Sequence, residues 1–301
     1  MGVLAQLIWG SYPVLAKRAM AEVPKFSLLL LATSATMLAS LWLIRRSDSR
    51  PWREIFGLLL RARALWWLAL FVVMRSVTNI LAVSMTRATW VQLIYLLTPF
   101  VVSILGATLF GEPTPRFTYR ALLLSTFGAI MVLIEDWSNL LKGFSISDGW
   151  GLFIAVFSMV SLAVYFLMIR RSSRSQASNG VIMFQQSMAM ASTYLILTLV
   201  TGEDWGMWAQ ATPAGLFYAL CVITVIQVGG NMLQITAIGG ASPALITSLM
   251  PLRLISAIVL GWFVLGEQLK TPWQWAGALI VLTTVSGYLW LQSRDAFESA
   301  L

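Results

Sequence analysis

The sequence has no histidine, a single cysteine and few charged side chains. Only 11% of its 301 residues are charged, whereas soluble domains contain about 25%. Without histidine, the chain lacks the commonest general base, proton relay and metal ligand. Cys221 alone supports no disulfide framework, and we expect it to be a small buried residue. These absences argue against an enzyme, and we expect no metal and no cofactor.

The chain is instead rich in apolar residues. Its hydrophobic content is 58% and its mean hydropathy is +0.80, so its polar groups cannot cover a globular surface. The net charge of +8 lies in short clusters between apolar runs, a pattern typical of membrane-protein loops and not of a nucleic-acid-binding domain. We therefore predict an all-α integral membrane protein with the lipid bilayer as its surroundings.

Ten apolar runs are long enough to be membrane-spanning helices, which need roughly 20 residues. They cover residues 2–20, 25–44, 65–86, 88–110, 117–134, 150–169, 180–201, 213–236, 242–266 and 272–292. The basic connection after the second run predicts an interfacial helix from Trp52 to Leu60. We read the N-terminal run as the first membrane helix because it has no basic segment before it.

The distribution of Lys and Arg predicts the orientation of the chain. With the N-terminus inside, 12 of these residues lie on the inner side and 6 on the outer side, and two lie within spans. The positive-inside rule then predicts that both termini lie in the cytoplasm. We expect the protein in the inner, or plasma, membrane of the cell.

The chain repeats itself with an offset of 155 residues. Segments 88–112 and 243–267 both end in an apolar residue, Gly and Glu, and a Pro and a further apolar run follow each. Half of ten spans is five, an odd number, so the second half must be inverted relative to the first. We divide the chain into repeats at 1–135 and 150–292, a connecting loop at 136–149 and a cytoplasmic tail at 293–301. Inverted repeats are typical of secondary transporters.

Several motifs extend this pattern to a family. The stretches "LIWGSYPVLAKRA" and "VSLAVYFLMIRRS" and the paired "LFGE" and "VLGE" resemble EamA-type members of the drug/metabolite transporter superfamily. The resemblance implies a ten-helix bundle of two inverted five-helix repeats, with a cavity lined mainly by helices 1, 3, 4, 6, 8 and 9. It implies alternating-access transport, often export, of small metabolites.

Two details of the Gly-Glu motif are open. Glu112 and Glu267 either mark the water boundary or have a gating or inter-repeat role. Pro99 lies 13 residues before the first glutamate, but Pro251 lies 16 residues before the second. The bend that a proline causes is therefore expected at a different position in the ninth helix.

Polar side chains recur on single faces of the predicted spans. In the eighth span, Gln227, Asn231 and Gln234 form one stripe, for which we favour cavity lining over helix–helix hydrogen bonding. The offset of 155 places Asn79 on Gln234. The further candidates for substrate binding are Trp9, Tyr12, Arg75, Asn79, Gln92, Tyr95, Tyr165 and Arg253. We interpret Gln185 and Gln186 as contacts between helices.

Two arginines lie at the centres of spans, where a charge costs at least ~2.5 kcal/mol. All twelve acids fall at span ends or in loops, so neither Arg75 nor Arg253 has an acidic partner at that depth. We hypothesise that both bind an anionic group of a substrate. The alternative is that cavity water and helix ends solvate them.

The sequence thus predicts a secondary transporter that moves an organic anion or an amino-acid-like zwitterion as an exporter or exchanger. Proton coupling is disfavoured because no acid or histidine lies within the membrane. The alternatives are an exporter of neutral or amphiphilic compounds and a membrane scaffold or receptor without transport. The expected partner is a small-molecule substrate, and a homodimer remains open.

Overall fold

The computed structural model describes residues 2–48, 50–61, 63–111, 117–134, 144–172, 178–234 and 250–298. Over these ranges the chain is helical except at short connections, and the ranges contain no strand. An apolar run in lipid must satisfy its own backbone hydrogen bonds, which a helix does within one segment. In chain order the helices are α1 Gly2–Met20, α2 Lys25–Ser47, α3 Trp52–Arg61, α4 Arg63–Met85, α5 Ala88–Tyr95, α6 Thr98–Phe110, α7 Thr118–Leu133, α8 Ile146–Ser172, α9 Asn179–Val200, α10 Met207–Gln210, α11 Pro213–Cys221, α12 Pro251–Leu260 and α13 Pro272–Glu298.

Seven of the described helical segments are long and apolar enough to cross a membrane, and α5 and α6 together form one of them. The segments Thr118–Leu133 and Pro251–Leu265 are apolar but shorter. Helix α1 has 19 residues and two basic side chains in its last turn. The all-helical membrane fold is therefore confirmed, whereas the count of ten spans remains a prediction. The amphipathic α3 begins at Trp52, as predicted, and buries Ile55 and Leu59.

Three membrane segments depart from a continuous α-helix. Leu96 and Leu97 form a turn between α5 and α6, just before Pro99, whose ring cannot continue the preceding helix. Helix α11 continues as a π-helix over Val222–Gly230, and α12 continues as one over Gly261–Leu265. Pro251 is the first residue of α12, a position where proline is tolerated because its missing N–H would have no partner within the helix. Such wider turns often occur at functional sites.

The contacts at one end of the bundle show the direction of the helices. Lys17 Nζ in the last turn of α1 donates to the carbonyl of Thr86 after α4 at 2.7 Å. The Thr86 hydroxyl in turn bonds Asp148 in the first turn of α8 at 2.7 Å. Helices α1 and α8, which are the first helices of the predicted repeats, therefore run in opposite directions. The most extensive packing includes α2 on α9 and α7 on α13, which are corresponding helices of the two halves.

Helices α1 and α12 cross at a glycine. A Cβ atom built on Gly10 would lie 2.6 Å from the Arg253 carbonyl oxygen and 2.7 Å from its Cα. Beside this crossing, the Ser256 hydroxyl donates to the carbonyl of Leu7 at 2.9 Å. Only a glycine fits this close approach, so the crossing determines where Arg253 lies relative to α1.

Candidate functional site

A cavity lies in the interior of the bundle; we call it the central cavity. Its walls come from helices α1, α4, α8 and α9, from the π-helical extension of α11 and from the helical residues 231–234 that follow it. Its described lining consists of Trp9, Tyr12, Val72, Arg75, Ser76, Asn79, Tyr165, Gln186, Met190, Gln227, Asn231 and Gln234. The structure thus brings together eight of the eleven residues that the sequence proposes for binding.

Two walls of the central cavity are related by the repeat. Val72, Ser76 and Asn79 on α4 stand 155 positions before Gln227, Asn231 and Gln234, and all six line the cavity. The eighth-span stripe therefore lines the same cavity as its counterpart in the other half. Since the halves differ at these positions, the site combines a shared framework with an asymmetric set of polar groups.

Arg75 is the main asymmetry of the cavity. Its counterpart, 155 positions later, is Gly230, which packs against the Trp9 ring. The Arg75 guanidinium lies 5.4 Å from the centroid of that ring, a cation–π distance. Its Nε is buried and has no hydrogen-bond partner among the described residues. None of the ion pairs within the described ranges includes Arg75.

Other polar atoms around the cavity also lack partners within the described part of the chain. The unpaired donors are Trp9 Nε1 and Gln186 Nε2, and the unpaired acceptors are Asn79 Oδ1 and Gln234 Oε1. Tyr165 donates from its hydroxyl to Gln186 Oε1 at 3.1 Å and so orients that amide. Buried polar groups are nearly always hydrogen-bonded, so this set is complementary to a polar ligand or to water.

A second chamber adjoins the central cavity. The chambers share Tyr165, Gln186, Met190, Asn231 and Gln234. The second is also lined by Thr36, Asn179, Ile182, Met183 and Ser187. It extends towards the end of the bundle where α9 begins. Its apolar side, formed by one isoleucine and two methionines, is more adaptable than the polar wall at Arg75.

Arg253 lies elsewhere. It is 5% exposed, and its Nε donates a short hydrogen bond to Gln6 Oε1 on α1. It belongs to neither described chamber lining. Its geometry is that of a helix–helix contact, and its binding of a substrate stays a prediction.

Gln92 and Tyr95 also lie outside both linings, although they are buried beside the central cavity. The Tyr95 hydroxyl accepts from Asn79 Nδ2 at 2.7 Å and bonds the Ser158 hydroxyl at 2.6 Å. Ser158 is also bonded to the Arg75 carbonyl at 2.8 Å. This chain of hydrogen bonds connects α4, α5 and α8 and positions the cavity face of α4.

Sequence reasoning missed several lining residues. Gln186 lines both chambers, although a single pair of glutamines on α9 shows no periodic stripe. Val72 and Ser76 carried a usable signal, because transferring the whole eighth-span stripe by 155 positions identifies them. Helix α9 also lines the cavity, which differs from the helix set that the family resemblance implies.

The Gly-Glu motif closes the fourth and ninth spans in the same way. Gly111 and Gly266 end them with φ of 65° and 67°, a left-handed conformation that glycine adopts without strain. Glu112 lies outside the described residues. Glu267 turns back into the bundle, and its Oε1 lies 3.1 Å from Lys17 Nζ. It therefore contacts other helices and does more than mark the water boundary.

Two acids at the connections have perturbed titration. The hydrogen bonds from Thr212, at 2.6 and 2.9 Å, lower the pKa of Glu22. A fork of hydrogen bonds from Arg50, at 2.7 and 2.9 Å, holds the pKa of Asp48 well below its usual range. Both carboxylates are therefore charged at neutral pH and act in loop structure outside the cavity.

The described residues contain no group of three or more His, Cys, Asp or Glu side chains that could hold a metal ion. The model of the EamA-like transporter family matches residues 1–134 and again 149–290. One solved structure, described only as the crystal structure of a protein, has a TM-score of 0.65 and 16% sequence identity, and the match covers 97% of this chain and 96% of that one. No curated protein matches the sequence. The chain belongs to the EamA-like transporter family, whose members are membrane transporters of small molecules and not enzymes.

Proposed function

We propose that this member of the EamA-like transporter family moves a small organic anion or an amino-acid-like zwitterion by alternating access. The carboxylate or phosphate of the substrate binds Arg75 in the central cavity. The observation that carries the proposal is a guanidinium whose buried Nε has no partner among the described residues, set in a cavity with no described acid in its lining.

The electrostatics of the cavity favour an anion over a cation. A guanidinium keeps its charge at any accessible pH, so Arg75 repels an ammonium or metal ion unless a carboxylate accompanies it. A planar guanidinium bonds a carboxylate or phosphate with two parallel N–H donors. The unpaired Trp9 Nε1 is a further donor close to Arg75.

The remaining walls suggest the rest of the substrate. The unpaired Asn79 Oδ1 and Gln234 Oε1 can accept from an ammonium, amide or hydroxyl group. The second chamber, with Ile182 and Met183, can take an apolar side chain. This division also supports the second candidate, a neutral amphiphile, which would use the same apolar chamber without needing Arg75.

The remaining features of the transport cycle are part of the same proposal. The repeats at 1–135 and 150–292 move relative to each other around the cavity, in a plasma membrane with both termini cytoplasmic. No acid lines the described cavity, which favours an exporter or exchanger that is not driven by protons. The oligomeric state, including a homodimer, stays open.

Thermal stabilisation of the purified protein by a ligand panel tests the anion site. The panel pairs each amino acid with its amide, which lacks the carboxylate, and adds monocarboxylates and sugar phosphates. We expect the acids to stabilise the protein and the amides not to, because ligand binding to the folded state raises its stability. Arg75→Gln should weaken the apparent affinity for the acid at least about tenfold, since a hydrogen bond to a charged group contributes about 1.5–3 kcal/mol.

Arg253→Gln is the matched control, because it also removes a mid-span arginine but from outside the described linings. It should lower the stability of the protein while the ligand affinity falls much less. The proposal is wrong if Arg75→Gln keeps the affinity of the wild type. If the amides bind as well as the acids and Arg75→Gln has no effect, the neutral-amphiphile alternative holds.

Flux measurements in proteoliposomes then test the transport mode. A labelled form of the best acid should leave vesicles faster when unlabelled acid is present on the other side, which is the behaviour of an exchanger. Flux driven by a pH gradient would contradict the absence of proton coupling. A protein that binds the acid but supports no flux of any kind would support the receptor or scaffold alternative.

A further inference from the structure

The carboxylate of Glu267 accepts hydrogen bonds from two other parts of the chain. Oε1 accepts from Lys17 Nζ and from the Ala88 backbone N–H, both at 3.1 Å. Oε2 accepts from the Thr89 backbone N–H at 3.2 Å and from its hydroxyl at 3.0 Å. The Glu267 side chain is only 11% exposed. These contacts, together with the Lys17 bond to the carbonyl of Thr86, are called the Glu267 latch below.

The latch joins the end of the ninth span to α1 and to the start of α5. Ala88 and Thr89 are the first residues of α5, whose first N–H groups need acceptors from outside the helix. Glu267 accepts from the first two of these N–H groups and so takes the place of a cap residue. The anion also interacts favourably with the positive end of the α5 dipole. One carboxylate thus connects the end of the ninth span to the start of the fourth and, through Lys17, to the ends of α1 and α4.

The latch lies at the end of the bundle away from the second chamber. The second chamber extends towards the start of α9 and the end of the eighth span, where Asn179 and Gln234 lie. The latch lies where α1 and α4 end and α5 and α8 begin. An alternating-access cycle requires this end to separate when the other end closes.

We propose that the Glu267 latch holds one end of the transport pathway shut, and that its release is a step of the transport cycle. The inference rests on the proposed alternating-access function. In the proposed orientation the latch closes the outer end. When the latch releases, the α1–α12 pair separates from the junction of α4 and α5. Helices α1 and α12 themselves stay joined at their crossing, at Gly10.

The chain offers a closely matched control in Glu203. Its carboxylate accepts from the backbone N–H groups of Phe26 and Ser27, at 2.9 and 2.8 Å, and from the Thr198 hydroxyl at 2.8 Å. It therefore caps the start of α2 with two backbone N–H donors and also accepts from one threonine hydroxyl, as Glu267 does, although this hydroxyl comes from α9. However, Glu203 joins α2 to α9. It does not connect the α12 segment to the junction of α4 and α5.

Distances across the latch can be measured with spin labels. Ser84 near the end of α4 and Gln268 beyond the ninth span are both exposed and lie on opposite sides of the latch. Because Cys221 is the only native cysteine, a Cys221→Ala background with Ser84→Cys and Gln268→Cys gives two defined label sites. Double electron–electron resonance in nanodiscs, without ligand, then reports the separation of these two positions.

We expect one dominant short distance for the parent chain. Glu267→Gln should raise the ratio of separated to closed molecules about tenfold or more, because the amide loses the negative charge and one of the two oxygens that accept from the start of α5. Glu203→Gln should leave the ratio unchanged while lowering thermal stability. Lys17→Gln, which keeps Glu267 on α5, should shift the ratio less than Glu267→Gln.

The inference is overturned if Glu267→Gln, like the control Glu203→Gln, gives the same distance distribution as the parent. If Glu267→Gln does not fold, Lys17→Gln and Thr89→Val provide the test, and an unchanged distribution in both overturns it. The measurement uses no substrate. A latch that opens in a protein whose Arg75→Gln variant binds normally would support this inference and refute the proposed anion site.

Discussion

The crossing of α1 and α12 gives a quantitative test of how the bundle holds Arg253. A Cβ at Gly10 would lie 2.6 Å from the Arg253 carbonyl oxygen, and ordinary contact begins at 3.4 Å. Gly10→Ala therefore forces the two helices apart by about 0.8 Å, mostly against backbone atoms that cannot rotate away. We expect this change to destabilise the protein by about 1–3 kcal/mol, which lowers the apparent Tm by several degrees.

Gly287→Ala is the control for this substitution. Gly287 also lies within a membrane helix, but a Cβ there would meet no atom within 4 Å. Its replacement should leave the Tm unchanged or raise it slightly, since Ala is the better helix former. Differential scanning fluorimetry of both variants in one detergent measures the difference. Equal Tm values for the two variants would refute the close approach of α1 and α12.

Two further predictions concern single side chains. Gln6→Leu should lower the free energy of unfolding by about 1.5–3 kcal/mol, because it leaves the buried Nε of Arg253 without its acceptor. Thermal unfolding measures this loss. No loss would show that another group accepts from the guanidinium. Asp48→Asn should be less stable than the wild type at neutral pH, because the hydrogen bonds from Arg50 depress the pKa of Asp48 in the folded state. A carboxylate whose pKa is depressed in the folded state stabilises the fold at pH values above its unfolded pKa of about 3.9. The difference in stability between the wild type and Asp48→Asn should therefore shrink as the pH falls below that value. A difference that stays constant from pH 7 to about 3 would contradict this cause.

The sequence was most informative where one rule acts along the whole chain. The apolar runs predicted the membrane fold because an unpaired backbone group cannot stay in lipid, and each run therefore forms a helix. The offset of 155 residues predicted that opposing polar positions are related, and the pairing of Asn79 with Gln234 in one cavity agrees with it. The same offset related Gly111 to Gly266, which end their helices in the same conformation.

Local breaks in the helices were less predictable. The turn at Leu96 and Leu97 and the π-helical turns after α11 depend on how neighbouring helices accommodate a changed hydrogen-bond pattern. The apolar content of a span is the same with or without such a turn, so the sequence pattern alone does not reveal it. The role of Glu267 was left open for a similar reason, because its donors on α1 and α5 are distant in sequence.

The two arginines show most clearly where prediction from the sequence ends and the tertiary structure decides. From the sequence, Arg75 and Arg253 were equivalent: each is a charge at the centre of an apolar run without an acid at its depth. Their difference arises from what each helix faces. Gly10 lets α12 approach α1 so closely that Arg253 reaches Gln6. Arg75 instead lines the central cavity beside Trp9, and its Nε is unpaired within the part of the chain that the structure describes. Composition and periodicity determined that a charge must be satisfied inside the membrane, but only the packing of distant helices decided which arginine a neighbouring side chain engages and which one faces the cavity.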